Sequence, residues 1–184
     1  MLNGSPLTQS ILNPGWTQYD KTILYDTYEV TDLINEGPNA VGMLISNGMY
    51  KVKKGGRYAK LENSFGPLKA IAKFQFEYED GSIQVLVTDG SWRAGESPMT
   101  YSSIFGGEDW DARKEEKGWN KAGFNAAQWF SVELLEGPGG ELKGITHAAP
   151  PILKFQEFRP VSSNIIDRNT TYMTWGRMLL MCQK

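Results

Sequence analysis

Two Asp-Gly pairs, Asp80-Gly81 and Asp89-Gly90, constrain the fold more than any other feature of the sequence. Asp-Gly favours the tight turns of β-hairpins, because both turn positions tolerate a positive φ. Before the first pair, residues 70–78 alternate apolar and polar side chains, the period of a strand with one exposed face. Residues 82–88 alternate in the same way, and the second pair leads into residues 91–93. The sequence therefore predicts an antiparallel meander of three strands.

The segment nearer the N-terminus predicts a further hairpin. Residues 22–28 are rich in β-branched and aromatic side chains, which suit a half-buried strand. Residues 30–34 predict a short turn or 3₁₀ piece, ended by the turn-forming residues 37–39. Residues 40–45 are an apolar run of the length of one buried strand. We expect residues 22–28 and 40–45 to form the two strands of this hairpin.

Composition narrows the class of protein. The chain has 184 residues with 20 Gly and 9 Pro, enough for one domain of short strands and many turns. Its 19 basic and 21 acidic residues give a net charge of −2, which indicates neither a nucleic-acid nor a membrane partner. A lone Cys182 and a lone His147 form no zinc signature. No apolar stretch approaches the ~20 residues of a membrane span, and no signal peptide begins at Met1.

Several sequence motifs match one known family, with the same residues at the same spacings. They are Pro14-Gly15-Trp16-Thr17-x-Tyr19-x-Lys21, Tyr25-x-Thr27-Tyr28-x-Val30-Thr31-Asp32-Leu33, Gly37-x-Asn39, Asn47-Gly48-x-Tyr50, the two Asp-Gly turns, and Gly107-Glu108-Asp109-Trp110-Asp111-Ala112-Arg113. From Asn3 to Ser162 the chain thereby resembles the N-terminal β-sandwich domain of bacterial α-L-rhamnosidases. It departs from that pattern at Met49, where the family has a tryptophan able to stack on a sugar.

The resemblance implies an all-β fold, a jelly-roll-like antiparallel β-sandwich over residues 3–162. It also implies a non-catalytic accessory domain of a multidomain α-L-rhamnosidase that removes terminal α-L-rhamnose. The catalytic carboxylates of such enzymes lie in a separate helical domain, which would be a partner in the same polypeptide. We therefore expect no hydrolase activity from this chain and a first strand upstream of Met1. The compartment stays open, and a periplasmic or extracellular parent protein is compatible with the resemblance.

The candidate site residues lie at the end of residues 40–47 and in the acidic segment after residue 107. Asn47, Asp109 and Trp110 are candidates for binding a rhamnose-containing carbohydrate, and Asn47, Glu108 and Asp109 for binding calcium, as the resemblance implies for some relatives. The alternatives are a Gly-rich turn at Asn47 and a core Trp110. A catalytic pair of Asp109 and Asp111 is less favoured than an ion pair of Asp111 with Arg113.

The other tryptophans also have two interpretations. Trp16, Trp92, Trp119 and Trp129 follow or lie near turns, where an indole anchors the edge of a core. An exposed one would instead favour a platform for a sugar ring.

Residues 163–184 do not follow the family pattern. Read one nucleotide out of register, residues 173–179 are compatible with the Asp-x-Gly-Gln-Asn that the family has at this point. We hypothesise a frameshifted and truncated tail, and the alternative is a genuine, divergent strand. Sequencing the coding DNA distinguishes the two.

Overall fold

The computed structural model describes residues 1–52, 61–137, 139–145, 151–168 and 170–175. Within these ranges strands make up nearly all of the regular secondary structure. They are β1 (Thr22–Tyr25), β2 (Lys51–Val52), β3 (Asn63–Ser64), β4 (Lys73–Glu77), β5 (Ile83–Val87), β6 (Arg93–Ala94), β7 (Met99–Ser103), β8 (Gly107–Trp110), β9 (Phe130–Ser131), β10 (Glu141–Gly144), β11 (Pro160–Asp167) and β12 (Thr170–Trp175). The predicted all-β fold is confirmed, whereas the jelly-roll topology stays a prediction.

The described strands pair two at a time. Five pairs are antiparallel: β2 with β3, β4 with β5, β6 with β9, β7 with β8, and β11 with β12. The sixth pair, β1 with β10, is parallel. In the same part of the chain, helical structure is limited to 3₁₀ turns at Thr31–Leu33 and Ala112–Lys114, and no described helix has the length and apolar character to span a membrane.

The first half of the predicted meander is confirmed. β4 and β5 pair in register around the first Asp-Gly turn, where the Tyr78 N–H donates to the Ser82 carbonyl at 2.9 Å. Gly81 has a φ of 78°, and an Asp80 carboxylate oxygen accepts from the Ser82 N–H at 2.8 Å. The prediction for the third strand of the meander is wrong. β6 pairs with β9 instead of β5, because Gly95 beside it packs closely against the Trp129 ring next to β9.

The predicted N-terminal hairpin is wrong. β1 pairs with β10 in parallel, and that partner strand lies within residues 137–144, a glycine-rich segment whose sequence predicts a turn. Residues 40–45 form no strand, since only Val41 makes a bridge, and it does so with Leu2. The Asn3 N–H donates to the Ala40 carbonyl at 2.9 Å. The N-terminal turn thus satisfies backbone groups that a hairpin would have used. The 3₁₀ turn predicted within residues 30–34 is confirmed.

The sequence after Pro150-Pro151 predicts a last strand over residues 153–159, and this prediction is wrong. Only Leu153 of that range bridges, to Ser10, and the strand begins at Pro160 as β11. A proline has no N–H for a ladder and is tolerated at the first residue of a strand. The hypothesis of a frameshifted tail stays a prediction: β12 reaches Trp175, and Cys182 lies outside the described residues, as does His147.

Packing depends on aromatic clusters and a few apolar side chains. Among the described residues Leu2 and Val52 are buried, each 3% exposed. Tyr19 contacts Tyr50 and Phe65 edge-on, with ring centroids 5.2 Å apart in both pairs. The burial of Tyr19 raises the pKa of its hydroxyl. This cluster joins the segment before β1 to the β2–β3 hairpin.

A second cluster holds the loop after β8. The Trp129 ring lies 5.4 Å from Phe124 and 6.4 Å from Trp119, centroid to centroid. The Trp129 indole N–H donates to the Glu116 carboxylate at 2.9 Å. Trp119 and Trp129 are therefore anchors, as the sequence predicted.

Candidate functional site

The β7–β8 hairpin carries all the predicted acidic candidates. Glu108, Asp109 and Trp110 lie in β8 and not in a loop. Their cross-strand partners in β7 are Ser102, Tyr101 and Met99 in that order. Side chains alternate along a strand, so Glu108 and Trp110 share one face and Asp109 lies on the other.

Asn47 binds directly to the same hairpin. Its backbone N–H donates to the Ser102 hydroxyl at 3.1 Å, and its side-chain Nδ2 donates to the Ser102 carbonyl at 3.0 Å. Its own carbonyl accepts from the Lys51 N–H at 3.0 Å, which closes the turn into β2. Ser102 in turn is paired with Glu108. The structure therefore brings Asn47 and the acidic strand onto one unit, through a serine that the sequence reasoning did not single out.

A cavity of about 180 Å³ lies between the segment 45–47 and β7. We call it the Asn47 cleft. Its apolar wall includes Ile45, Leu68 and Met99, and its polar wall includes Asn47, Thr100 and Ser102. Apolar walls with a few polar groups are typical of small-molecule sites. The sequence signal for this wall was the hydroxyl-rich run of β7, which went unnoticed.

Glu108, Asp109 and Trp110 do not line the Asn47 cleft. Trp110 is 51% exposed, so the alternative of a core tryptophan is wrong. Its register partner Met99 does line the cleft, which places the indole on the strand beside the cleft wall. Trp16 is also exposed, at 68%, on the loop before β1.

Asp111 is committed to a structural role. Its carboxylate accepts from the Arg113 guanidinium at 2.8 and 2.7 Å and from the Arg113 backbone N–H at 3.1 Å. The hydrogen bonds from Arg113 lower the Asp111 pKa from 3.8 to about 2. A general acid needs a raised pKa, so this carboxylate does not fit that part of a catalytic pair. The ion pair expected from the sequence is confirmed.

The donor set for a calcium ion is small. Among the described residues no group of three or more His, Cys, Asp and Glu side chains is arranged to hold a metal. Because Glu108 and Asp109 project to opposite faces of β8, one ion can take Asn47 with one of the two carboxylates but not with both. Calcium prefers six to eight oxygen ligands, so backbone carbonyls and waters would have to complete the shell.

The family model, the sequence relatives and the solved structures that match this chain are all α-L-rhamnosidases or their N-terminal domain. The model of the family described as "Alpha-L-rhamnosidase N-terminal domain" matches residues 1–156. An α-L-rhamnosidase of Alteromonas sp. (strain LOR) is 30% identical over 97% of this chain and 19% of its own length. A solved α-L-rhamnosidase from Dictyoglumus thermophilum superposes with a TM-score of 0.74 at 33% identity, over 94% of this chain and 18% of that one.

A third similar protein is the Streptomyces avermitilis α-L-rhamnosidase solved in complex with L-rhamnose. It superposes with a TM-score of 0.68 at 27% identity, over 88% of this chain and 15% of that one. The chain thus spans less than a fifth of the length of each of these relatives. The match of the family model over most of the chain shows that it belongs to the family of α-L-rhamnosidase N-terminal domains.

Proposed function

We propose that the chain acts as a non-catalytic accessory domain of an α-L-rhamnosidase, an enzyme that releases terminal α-L-rhamnose. One observation carries the proposal: the chain matches its relatives through their N-terminal domain and over less than a fifth of their length. The pairing of Asp111 with Arg113 supports the proposal further. Asp111 lies in the densest acidic segment of the chain, and its hydrogen bonds to Arg113 keep it ionised, so it does not fit the general acid of a catalytic pair.

Exposed apolar strands also support an accessory role. Ile83 and Val87 of β5 are 59% and 55% exposed, and Ile165 of β11 is 80% exposed. Apolar surface of this kind commonly marks an interaction face. In a multidomain rhamnosidase a helical catalytic domain of the same polypeptide would cover part of it, and the contact would position the accessory domain.

An activity assay tests the absence of catalysis. We expect the purified chain to release no nitrophenol from p-nitrophenyl α-L-rhamnoside above the buffer rate, with the Streptomyces avermitilis enzyme as positive control. Release that scales with the concentration of the chain, and survives a second purification step, would show an enzyme in its own right.

The Asn47 cleft favours a second candidate function, calcium-assisted binding of L-rhamnose. Sugars bind through apolar contact with one ring face and hydrogen bonds to the hydroxyls. The cleft offers both, since its lining combines Met99 and Leu68 with Asn47 and Thr100. Trp110 is an exposed indole beside it. Calcium would take the Asn47 side-chain oxygen and the Glu108 or Asp109 carboxylate.

Calorimetry with L-rhamnose tests this candidate. We expect binding in calcium that weakens in excess EDTA and falls about tenfold in Asn47→Ala, the loss expected for one hydrogen bond to a polar ligand group in a desolvated site. Thr100→Val removes a hydroxyl from the cleft and keeps the shape of the side chain. This variant should also weaken binding. Asp109→Ala should also weaken binding, because Asp109 is a candidate ligand of both the sugar and the calcium ion.

The matched control is Asn164→Ala, on exposed β11 and outside the lining of the cleft. It should bind as the unmodified chain does. Because Asn47 also holds the turn onto β7, thermal unfolding of each variant is measured first. No heat of binding with folded protein, in calcium and at millimolar sugar, would exclude the carbohydrate-binding role.

A further inference from the structure

A second cavity adjoins the Asn47 cleft. It has a volume of about 310 Å³ and is lined by Glu96, Ser97 and Lys114, together with Met99 and Thr100. Met99 and Thr100 also line the Asn47 cleft. The two cavities therefore share the first two residues of β7 in their linings. We propose that the second cavity is a sugar subsite, so that the ligand is a neutral oligosaccharide of at least two rings; this inference rests on the carbohydrate-binding role of the Asn47 cleft.

The charged pair in the second cavity is open to a ligand. Lys114 Nζ and Glu96 Oε2 are 3.8 Å apart, beyond the ~3.2 Å limit of a hydrogen bond. The two side chains are 48% and 78% exposed, and an exposed pair of this kind contributes little stability. In addition to the hydrogen bonds from Arg113, the charge of Lys114 helps to lower the Asp111 pKa, but in the described part of the chain neither Lys114 nor Glu96 makes a side-chain hydrogen bond. The ammonium donors and the carboxylate acceptors are thus accessible side by side.

The contrast with the neighbouring pair is informative. Arg113 and Asp111 make two hydrogen bonds at 2.8 and 2.7 Å, so each charge is already occupied by the other. Lys114 and Glu96 also carry one positive and one negative charge, but no hydrogen bond joins them. Breaking their contact costs a ligand little, whereas entry between Arg113 and Asp111 would cost two charge-assisted hydrogen bonds.

The balance of charge selects a neutral polyhydroxylated ligand. One sugar hydroxyl can accept from the Lys114 ammonium while its neighbour donates to the Glu96 carboxylate, and both bonds are charge-assisted. A uronate would pair with the Lys114 ammonium but meet repulsion from the Glu96 carboxylate 3.8 Å away, and an amino sugar would meet the reverse. A pair of vicinal hydroxyls meets neither repulsion.

Ser97 fixes the wall between the cavities. Its hydroxyl accepts from the Met99 N–H at 3.0 Å and donates to the Met99 carbonyl at 3.4 Å. These bonds hold the backbone at the first residue of β7, whose side chain lines both cavities. Typical small-molecule sites have volumes of about 300 Å³ or more. The Asn47 cleft falls below that value, and the second cavity brings the combined site into the range.

Calorimetry with two sugars tests the second subsite. The probes are L-rhamnose and rutinose, a neutral disaccharide of α-L-rhamnose linked to glucose. We expect rutinose to bind about tenfold more tightly, the gain from hydrogen bonds to charged groups. Glu96→Gln and Lys114→Met should each remove most of that advantage and leave the affinity for L-rhamnose unchanged.

A distant ion pair supplies the matched control. Lys154 and Glu157 lie 2.9 Å apart and line neither cavity. Lys154→Met makes the same change of charge and should retain the preference for rutinose.

If L-rhamnose binds but rutinose binds no more tightly, or if Glu96→Gln and Lys114→Met both keep the preference, the second subsite is wrong and the binding role stands. If neither sugar binds, the carbohydrate-binding role fails and the subsite with it.

Discussion

Replacing Gly140 with alanine is expected to lower the free energy of unfolding by about 1–3 kcal/mol, the usual cost of an extra methyl in a place already filled. A Cβ at this position would lie 2.6 Å from the Tyr19 carbonyl oxygen and 2.9 Å from both the Lys21 carbonyl carbon and the Thr22 nitrogen. All three are backbone atoms, which cannot rotate away as a side chain can. Urea unfolding followed by circular dichroism measures the loss.

The clash falls where β10 comes alongside β1. The Glu141 N–H donates to the Lys21 carbonyl at 2.9 Å, the first bond of the parallel ladder. Relieving the overlap would lengthen this bond and shift the register that follows. The effect should therefore appear as a lower midpoint with an unchanged slope, since the surface exposed on unfolding stays the same.

Gly144→Ala is the matched control, at the far end of the same strand. Its nearest contact is the Tyr25 ring at 3.6 Å, which is ordinary van der Waals distance. Neither glycine has a positive φ, so backbone strain does not separate them. We expect Gly144→Ala to change stability by less than about 0.5 kcal/mol. Equal losses in the two variants would mean that β1 and β10 do not approach as closely as the structure shows.

Features encoded within a few residues could be predicted from the sequence. The Asn3-Gly4 pair is a hairpin-turn signal and forms a turn with φ values of 51° and 86°, and the Asp80-Gly81 pair closes the predicted hairpin of β4 and β5. Asn3, Gly4 and Gly81 adopt a positive φ, which Asn and Gly tolerate, and the Asp80 carboxylate caps the second turn at the Ser82 N–H. The choice of conformation is settled locally, so the sequence signal is sufficient.

Pairings between distant segments could not be predicted in the same way. β1 was expected to pair with the apolar residues 40–45, but it pairs with β10. Patterning shows that a strand needs a partner, and it does not show which one. The selection depends on Gly140, which alone lets the backbones approach. Parallel pairing also leaves no turn signature in the sequence, because the connection is long.

In the candidate site, too, single residues could be predicted from the sequence, whereas contacts between distant segments could not. Asn47 and the acidic strand were identified from the sequence, since amides and carboxylates are recognisable as ligand groups. Ser102 was not, although it accepts from the Asn47 N–H and lines the cleft. The two residues are 55 positions apart. Only the folded chain shows that the hydroxyl-rich run of β7 and Asn47 line the same cleft.

Trp129→Ala is expected to lower the free energy of unfolding by about 3 kcal/mol, the low end of the range for buried tryptophans, because Trp129 is only partly buried. The change removes ring contacts with Phe124 and Trp119 and the hydrogen bond to Glu116. It also leaves a gap over Gly95, where the ring packs so closely that a Cβ would lie 2.5 Å away. For a chain of this size the melting temperature should fall by roughly 6–12 °C.

Trp16→Ala deletes the same side chain from a position that is 68% exposed, and serves as the control. We expect it to change stability by no more than about 0.5 kcal/mol, because little apolar area leaves the packed interior. Scanning calorimetry of the two variants separates an anchoring indole from an exposed one. Trp129→Phe refines the comparison, since it keeps a ring over Gly95 and loses the Glu116 bond. If Trp129→Ala and Trp16→Ala have the same melting temperature, the aromatic cluster after β8 does not anchor the loop.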